Sequence, residues 1–225
     1  MAAVTVPLFP LGTVLFPGSL LPLHIFEPRY RRLVRELLDR TDGPREFGVV
    51  AIRAGREVGG HGVQSLYRVG CTAELRQVRT YSDGRFDIMA RGARRFRIVD
   101  LYPEVEDAAA RGDVELLPES PSARSPELAD RATALFDRYR RAVLDAQGVT
   151  GDEPFSLPAD PVGCSYAIAA AMILDLTDRQ HLLEAATVDD RLSLAIELLR
   201  RETTMVDRLS LRAGEELARG PYSAN

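Results

Sequence analysis

The chain has 225 residues, enough for one large domain or two small ones, and with 45% hydrophobic and 28% charged residues it groups with globular proteins, not disordered or fibrous ones. A net charge of -4 gives no global attraction to nucleic acid. All 29 basic residues are arginine, which excludes a P-loop nucleotidase, a Schiff-base enzyme and a Ser-Lys protease, because each needs a lysine amine.

The opening stretch, VPLFPLGTVLFPGSLLPLHIFEPRY from Val6 to Tyr30, is apolar but interrupted by Pro7, Pro10, Pro17, Pro22 and Pro28. No basic residue precedes its apolar part, the first being Arg29, so it does not read as a signal peptide. Its prolines would strand backbone carbonyls in hydrocarbon, so it does not read as a membrane helix either. Extended structure suits it, since the residue before each proline is pushed toward β or polyproline geometry. Strands are expected at Val4–Phe9 and Ser19–Phe26, joined by a turn at Pro17-Gly18.

Pro28 opens a helix, with Tyr30, Leu33, Val34, Leu37 and Leu38 at helical spacing and a stop by Gly43-Pro44. Phe47–Ile52 reads as a buried strand, and Ala54–Gly62 as a loop. Tyr67, Val69, Cys71, Ala73 and Leu75 alternate with polar or small residues, the clearest strand in the chain. After a turn at Ser82-Asp83-Gly84, Phe86, Ile88 and Ala90 alternate again, and Phe96 and Ile98 continue the pattern.

From Ser120 the pattern changes. A Ser/Pro-rich linker leads to Ser125-Pro126-Glu127, an N-cap, first-turn proline and early acid for a helix whose stripe is Leu128, Ala132, Leu135, Phe136, Tyr139 and Val143. Asp160-Pro161 starts a second helix to about Ile173. Thr177-Asp178-Arg179-Gln180 reads as a capping box for a third. Thr187 with Asp190 starts a long fourth, through Leu192, Ile196, Leu199, Val206 and Leu209 to about Arg219. Strands followed by helices make the chain α+β, with a β domain at 1–119 and a helical bundle at 120–225.

Placed in order, these segments resemble the N-terminal substrate-binding domain of Lon proteases. The resemblance rests on Pro7–Leu11, Val14–Gly18 and Leu21–Tyr30, then on Tyr67, Val69, Gly70 and Ala73, then on the Gly92, Arg95 and Phe96 hairpin, and on the helical run from Ser165 to Glu202. It implies a PUA-like six-stranded β pseudo-barrel with one helix, followed by an α-helical bundle with a long last helix. Full-length Lon would continue into an ATPase module and a Ser-Lys peptidase, so the expectation is a stand-alone, non-catalytic and ATP-independent module that recognises apolar or unfolded protein segments, as an adaptor or chaperone-like factor.

For the site, Leu8, Leu11, Leu15, Leu21 and Leu23 are expected in the core, with Phe9, Phe16, Pro17 and Leu20 at an exposed rim suited to extended peptide. Glu27, Arg29 and Tyr30, where strand meets helix, join this candidate peptide-binding set, although a helix N-terminus alone favours Glu27. Arg91, Arg94, Arg95 and Arg97 form a polar face. Residues 68–97 hold eight arginines against Glu74, Asp83 and Asp87, and PUA-like folds can bind RNA, which makes an RNA-binding module the alternative function. A solvated face accounts for the same residues.

A second alternative is a small hydrolase at Ser165, since Gly163-Cys164-Ser165-Tyr166-Ala167 approximates a nucleophile elbow followed by Asp175 or Asp178 and His181. Asp160-Pro161 stands where a strand should precede it, and helix packing explains the run. His24, His61 and His181 are scattered, so no metal site is expected, and no cofactor. Cys71 and Cys164, far apart in sequence, fit a reducing cytoplasm. Expected partners are protein or peptide segments, a protease or chaperone among them. No membrane is expected, nucleic acid is disfavoured and a homodimer is left open.

Overall fold

Period-two alternation should lay the first half of the chain into strands with one face buried. The computed structural model describes residues 4–54, 65–102, 108–149 and 155–218, with backbone alone at Ala54 and 209–218. The expected loop beyond Ala54, with His61, and the side chain of Leu209 lie outside the described residues. The strands are β1 (Val4–Leu11), β2 (Leu20–Ile25), β3 (Glu46–Ala54), β4 (Ser65–Leu66), β5 (Val69–Thr80), β6 (Phe86–Tyr102) and β7 (Arg111–Leu116). The helices are α1 (Pro28–Leu38), α2 (Ser125–Ala146), α3 (Pro161–Ala171), α4 (Leu176–Glu184) and α5 (Val188–Ala218).

β1 runs parallel to β3, with Leu8 opposite Gly48, and antiparallel to β7, with Val4 opposite Val114. Antiparallel pairings of β7 with β6, β6 with β5 and β5 with β3 close a ring. β2 adds to the first half of the long β6, Leu20 opposite Arg91 and Ile25 opposite Phe86. The two-residue β4 pairs with β3. Apart from β4, this is the six-stranded pseudo-barrel the sequence led us to expect. β1 and β2 both form around a turn at Gly18 (φ 85°) but do not pair with each other.

Two apolar clusters fill the barrel. One joins Phe9, Leu11, Leu15 and Ile25 to Phe47, Phe86 and Ile88 and to the buried face of α1, which is Tyr30, Leu33, Val34 and Leu37. The other holds Leu8, Val50, Phe96, Ile98 and Val114. Each large side chain so buried stabilises the fold by roughly 1.5–3 kcal/mol. α1 starts with Pro28 in its first turn, where the missing N–H costs nothing. Leu21 and Leu23, on β2, are half-buried against the first cluster.

The helices start where cap chemistry allows, with two differences from expectation. Thr187 and Asp190 form a reciprocal box, each side chain accepting from the other's backbone N–H at 3.1 and 3.2 Å. α4, however, is capped by Asp175, whose side chain accepts from the Asp178 N–H at 2.8 Å, and not by Thr177. Ser125 is the first residue of α2 and not its cap; its hydroxyl donates to Asp189. None of the described helices is long and apolar enough to cross a membrane.

The chain divides into two compact units, residues 1–120 with 169–185 and residues 121–168 with 186–225. The barrel unit thus contains α4. Gln180 of α4, fully buried, donates to the Val69 carbonyl of β5 at 3.0 Å.

Candidate functional site

The segment from Val14 to Tyr30 supplies most of the expected peptide-binding residues, and the structure sorts them by burial. Leu20 is 65% exposed and Pro17 half-buried. Phe9 and Phe16 are not at a rim. Phe9 stacks on Tyr30 with centroids 3.9 Å apart inside the first core cluster. Phe16 is 0% exposed, and the Arg179 guanidinium lies 5.2 Å from its ring centroid. Burial lowers the pKa of Arg179. Its Nη2 also donates to the Val14 carbonyl at 3.3 Å.

Tyr30 is buried as well, and Arg29 covers its ring at 4.6 Å. Arg29 pairs with Glu27 at 2.9 Å, and the Glu27 side chain makes no cap hydrogen bond to α1. Glu27, Arg29, Tyr30 and Phe9 therefore come together as one packed joint between β1 and α1. Leu20 and Pro17 stand apart from it at the start of β2.

The arginine face divides in the same way. Arg91, Arg94 and Arg97 are exposed, with Arg94 3.3 Å from Glu46. Arg95 is 2% exposed and leaves that face. It alternates with Phe96 as read, but the sheet surface it points from is covered. Its Nε donates to Glu119 at 2.7 Å, and its Nη1 donates to the carbonyls of Leu183 (2.8 Å) and Ala185 (2.6 Å), at the C-terminus of α4. A guanidinium there meets unsatisfied carbonyls and the negative end of the helix dipole. Neighbouring Gly92 has an equally local reason: a Cβ would collide with the Phe16 carbonyl oxygen. Hydrogen bonds from Gly18 N to Gly92 O (2.8 Å) and from Gly92 N to Ser19 O (2.9 Å) hold that crossing.

Ser165 does not present a nucleophile. It is buried within α3, its hydroxyl donating to the Val162 carbonyl at 2.7 Å and accepting from Arg191 Nε at 2.8 Å. Neither cysteine is activated. Burial pushes the Cys71 thiol up to about 12 and also raises Cys164.

Sequence reading missed the outer face of β2, β6 and β5. On β2 the exposed side chains are Leu20, Pro22 and His24, with Phe26 just beyond at 49% exposed. β2 has β6 as its one strand partner among the described residues, so its second edge is unpaired. Pro22 marks it as an edge strand, since a proline carries no N–H for a central ladder. Beside β2 lies an open groove of about 480 Å3 over Pro22, Leu23, Val78, Ile88 and Met89, walled by His24, Asp87, Gln77 and Arg79. The signal available was alternation in Leu20–Phe26, which puts every second residue outward.

The fold is similar to that of solved Lon N-terminal domains. The chain is 28% identical to the Lon N-terminal domain protein from Xanthomonas campestris, covering 84% of this chain and 95% of that one with a TM-score of 0.59. It also shares the fold of the N terminal domain of Mycobacterium avium complex Lon protease, with a TM-score of 0.62 at 18% identity over 88% of this chain and 98% of that one. The family model for the ATP-dependent protease La (LON) substrate-binding domain matches residues 5–201, and the chain belongs to that family. Lon protease 2 of Sorangium cellulosum is 30% identical over 89% of this chain, which spans 25% of that protein. Protein cereblon of Gallus gallus is 23% identical over 89% of this chain and 54% of its own length. The chain is thus a substrate-binding module by family.

Proposed function

We propose that this chain is a non-catalytic module that binds apolar, unfolded protein segments on the outer face of β2, β6 and β5, as an adaptor or chaperone-like factor. The observation that carries the reading is β2 itself, an unpaired strand edge whose outward row includes Leu20 and, just past its end, Phe26, beside an apolar groove. An extended client lying along this face can cover the apolar row with its alternate side chains, with the unpaired edge of β2 at the rim of the groove. Burying two or three client side chains contributes on the order of 3–6 kcal/mol before association costs are met, which suits weak, reversible capture. Family membership supports protein segments as the ligand class.

A peptide array probed with the full chain tests this. Wild type should favour apolar, unstructured segments, and Leu20→Asp should lose that preference with an unchanged thermal melt. Equal binding by the variant would reject the face.

A further inference from the structure

The charged groups around the β2, β6 and β5 groove differ in how far they are already committed. Asp87 has both carboxylate oxygens occupied: His24 Nδ1 donates to Oδ1 at 2.6 Å, and the Tyr81 hydroxyl donates to Oδ2. Those two hydrogen bonds, His24 first, hold its carboxyl below the usual range. His24 Nε2 lies 3.4 Å from Arg85 Nη1. Arg85 is itself paired with Asp83 at 2.7 Å. Arg31 reaches the same hairpin and donates to the carbonyls of Asp83 and Gly84.

Arg79 is different. It is exposed, stands opposite Asp87 in the β5–β6 register, lies 5.2 Å from the Tyr81 ring centroid, and makes no ion pair among the described residues. Among the described residues, Arg31, Arg79 and Arg85 gather with Asp83 and Asp87 at this end of the sheet, three cations to two anions. A planar guanidinium held against a ring, near enough to Asp87 to favour its charged form but in no ion pair with it, keeps its N–H groups for a further carboxylate.

Register sets the spacing. Pro22, Met89 and Gln77 form one row across the three strands, and His24, Asp87 and Arg79 form the next, two residues along each strand. Side chains on one face of an extended chain also recur every two residues, roughly 6.5–7 Å apart. We propose that the groove selects extended segments carrying an apolar residue and, two positions away, an aspartate or glutamate, with the apolar side chain over Met89 and the carboxylate on Arg79. This rests on the outer-face reading above and adds to it the chemistry and spacing of the client.

Fluorescence anisotropy with acetylated and amidated decapeptides tests it, since the side chain is then the sole carboxylate. The full chain should bind an apolar-x-Glu peptide about fivefold more tightly than its Gln counterpart. R79Q should erase that difference while still binding the Gln peptide as wild type does. Equal binding of the two peptides to wild type, or preference for a free C-terminal carboxylate over the Glu side chain, would overturn the inference. If Met89→Asp leaves binding of the Gln peptide unchanged, the outer-face reading itself fails.

Discussion

Phe16 and Leu20 stand four residues apart in one apolar segment, and they have opposite fates, 0% and 65% exposed. Between them the chain turns at Gly18 and crosses β6 at Gly92, where the absence of a side chain lets the Phe16 carbonyl descend onto the strand. Before the crossing, apolar side chains enter the interior. After it they alternate, and the outward half is left for contact. Both sides of the turn carry large apolar residues; the backbone path decides which of them build the core and which stay exposed.

The sharpest way to break this contrast is to place the same charge on each side of the turn. Phe16→Asp should destabilise the chain by on the order of 4 kcal/mol or more, through cavity formation and an unpaired buried carboxylate, and in urea melts should leave little folded protein. Leu20→Asp should shift the same melt by less than about 0.5 kcal/mol. Similar losses for the two variants would erase the distinction between interior and rim.

A smaller effect is expected at Arg95, the arginine that leaves the exposed face. Arg95→Gln removes one partner of Glu119 and a donor to two helix carbonyls, and should cost about 3 kcal/mol. Hydrogen exchange should quicken in α4 before it does in β1 or β7. Arg97→Gln, on an exposed neighbour, should change neither. Uniform quickening across the barrel would mean that Arg95 supports the whole sheet and not the helix in particular.

The mildest test concerns the outer face under acid. Asp87 is held below the ordinary value of 3.8 by His24 and Tyr81, and Asp113 by Thr5 and Tyr102. A carboxyl depressed in the folded state contributes its stability in full above the ordinary value and loses it as pH falls through the lowered one. Urea midpoints should therefore hold level above about pH 4 as far as these groups are concerned, and fall below 3.8. Asp87→Asn should flatten part of that fall.

Elements with strong periodicity or cap chemistry could be read from the chain alone. The first half of β6 follows its alternation and α5 starts at its Thr187–Asp190 box, whereas β5 forms where expected but is buried without a break from Val69 to Ala73. β7 escaped notice because Arg111–Leu116 sends only Gly112 and Val114 fully inward, too little apolar signal to count. The α4 cap was misplaced because Asp175 and Thr177 both precede a helical run, and only the extended backbone at Asp175 separates them. Arg95 was assigned to a solvated face because alternation gives the side of a strand but not what covers that side. The outer-face groove draws on three strands distant in sequence, and no local pattern brings Pro22, Val78 and Met89 together.

Residues 169–185 belong with the barrel although residues 121–168 of the other unit intervene. During synthesis, then, every strand has left the ribosome well before the carbonyls that Arg95 needs have been made. Until α4 is translated, Arg95 has Glu119 to pair with but not the two helix carbonyls, so this part of the barrel wall is the last to be completed.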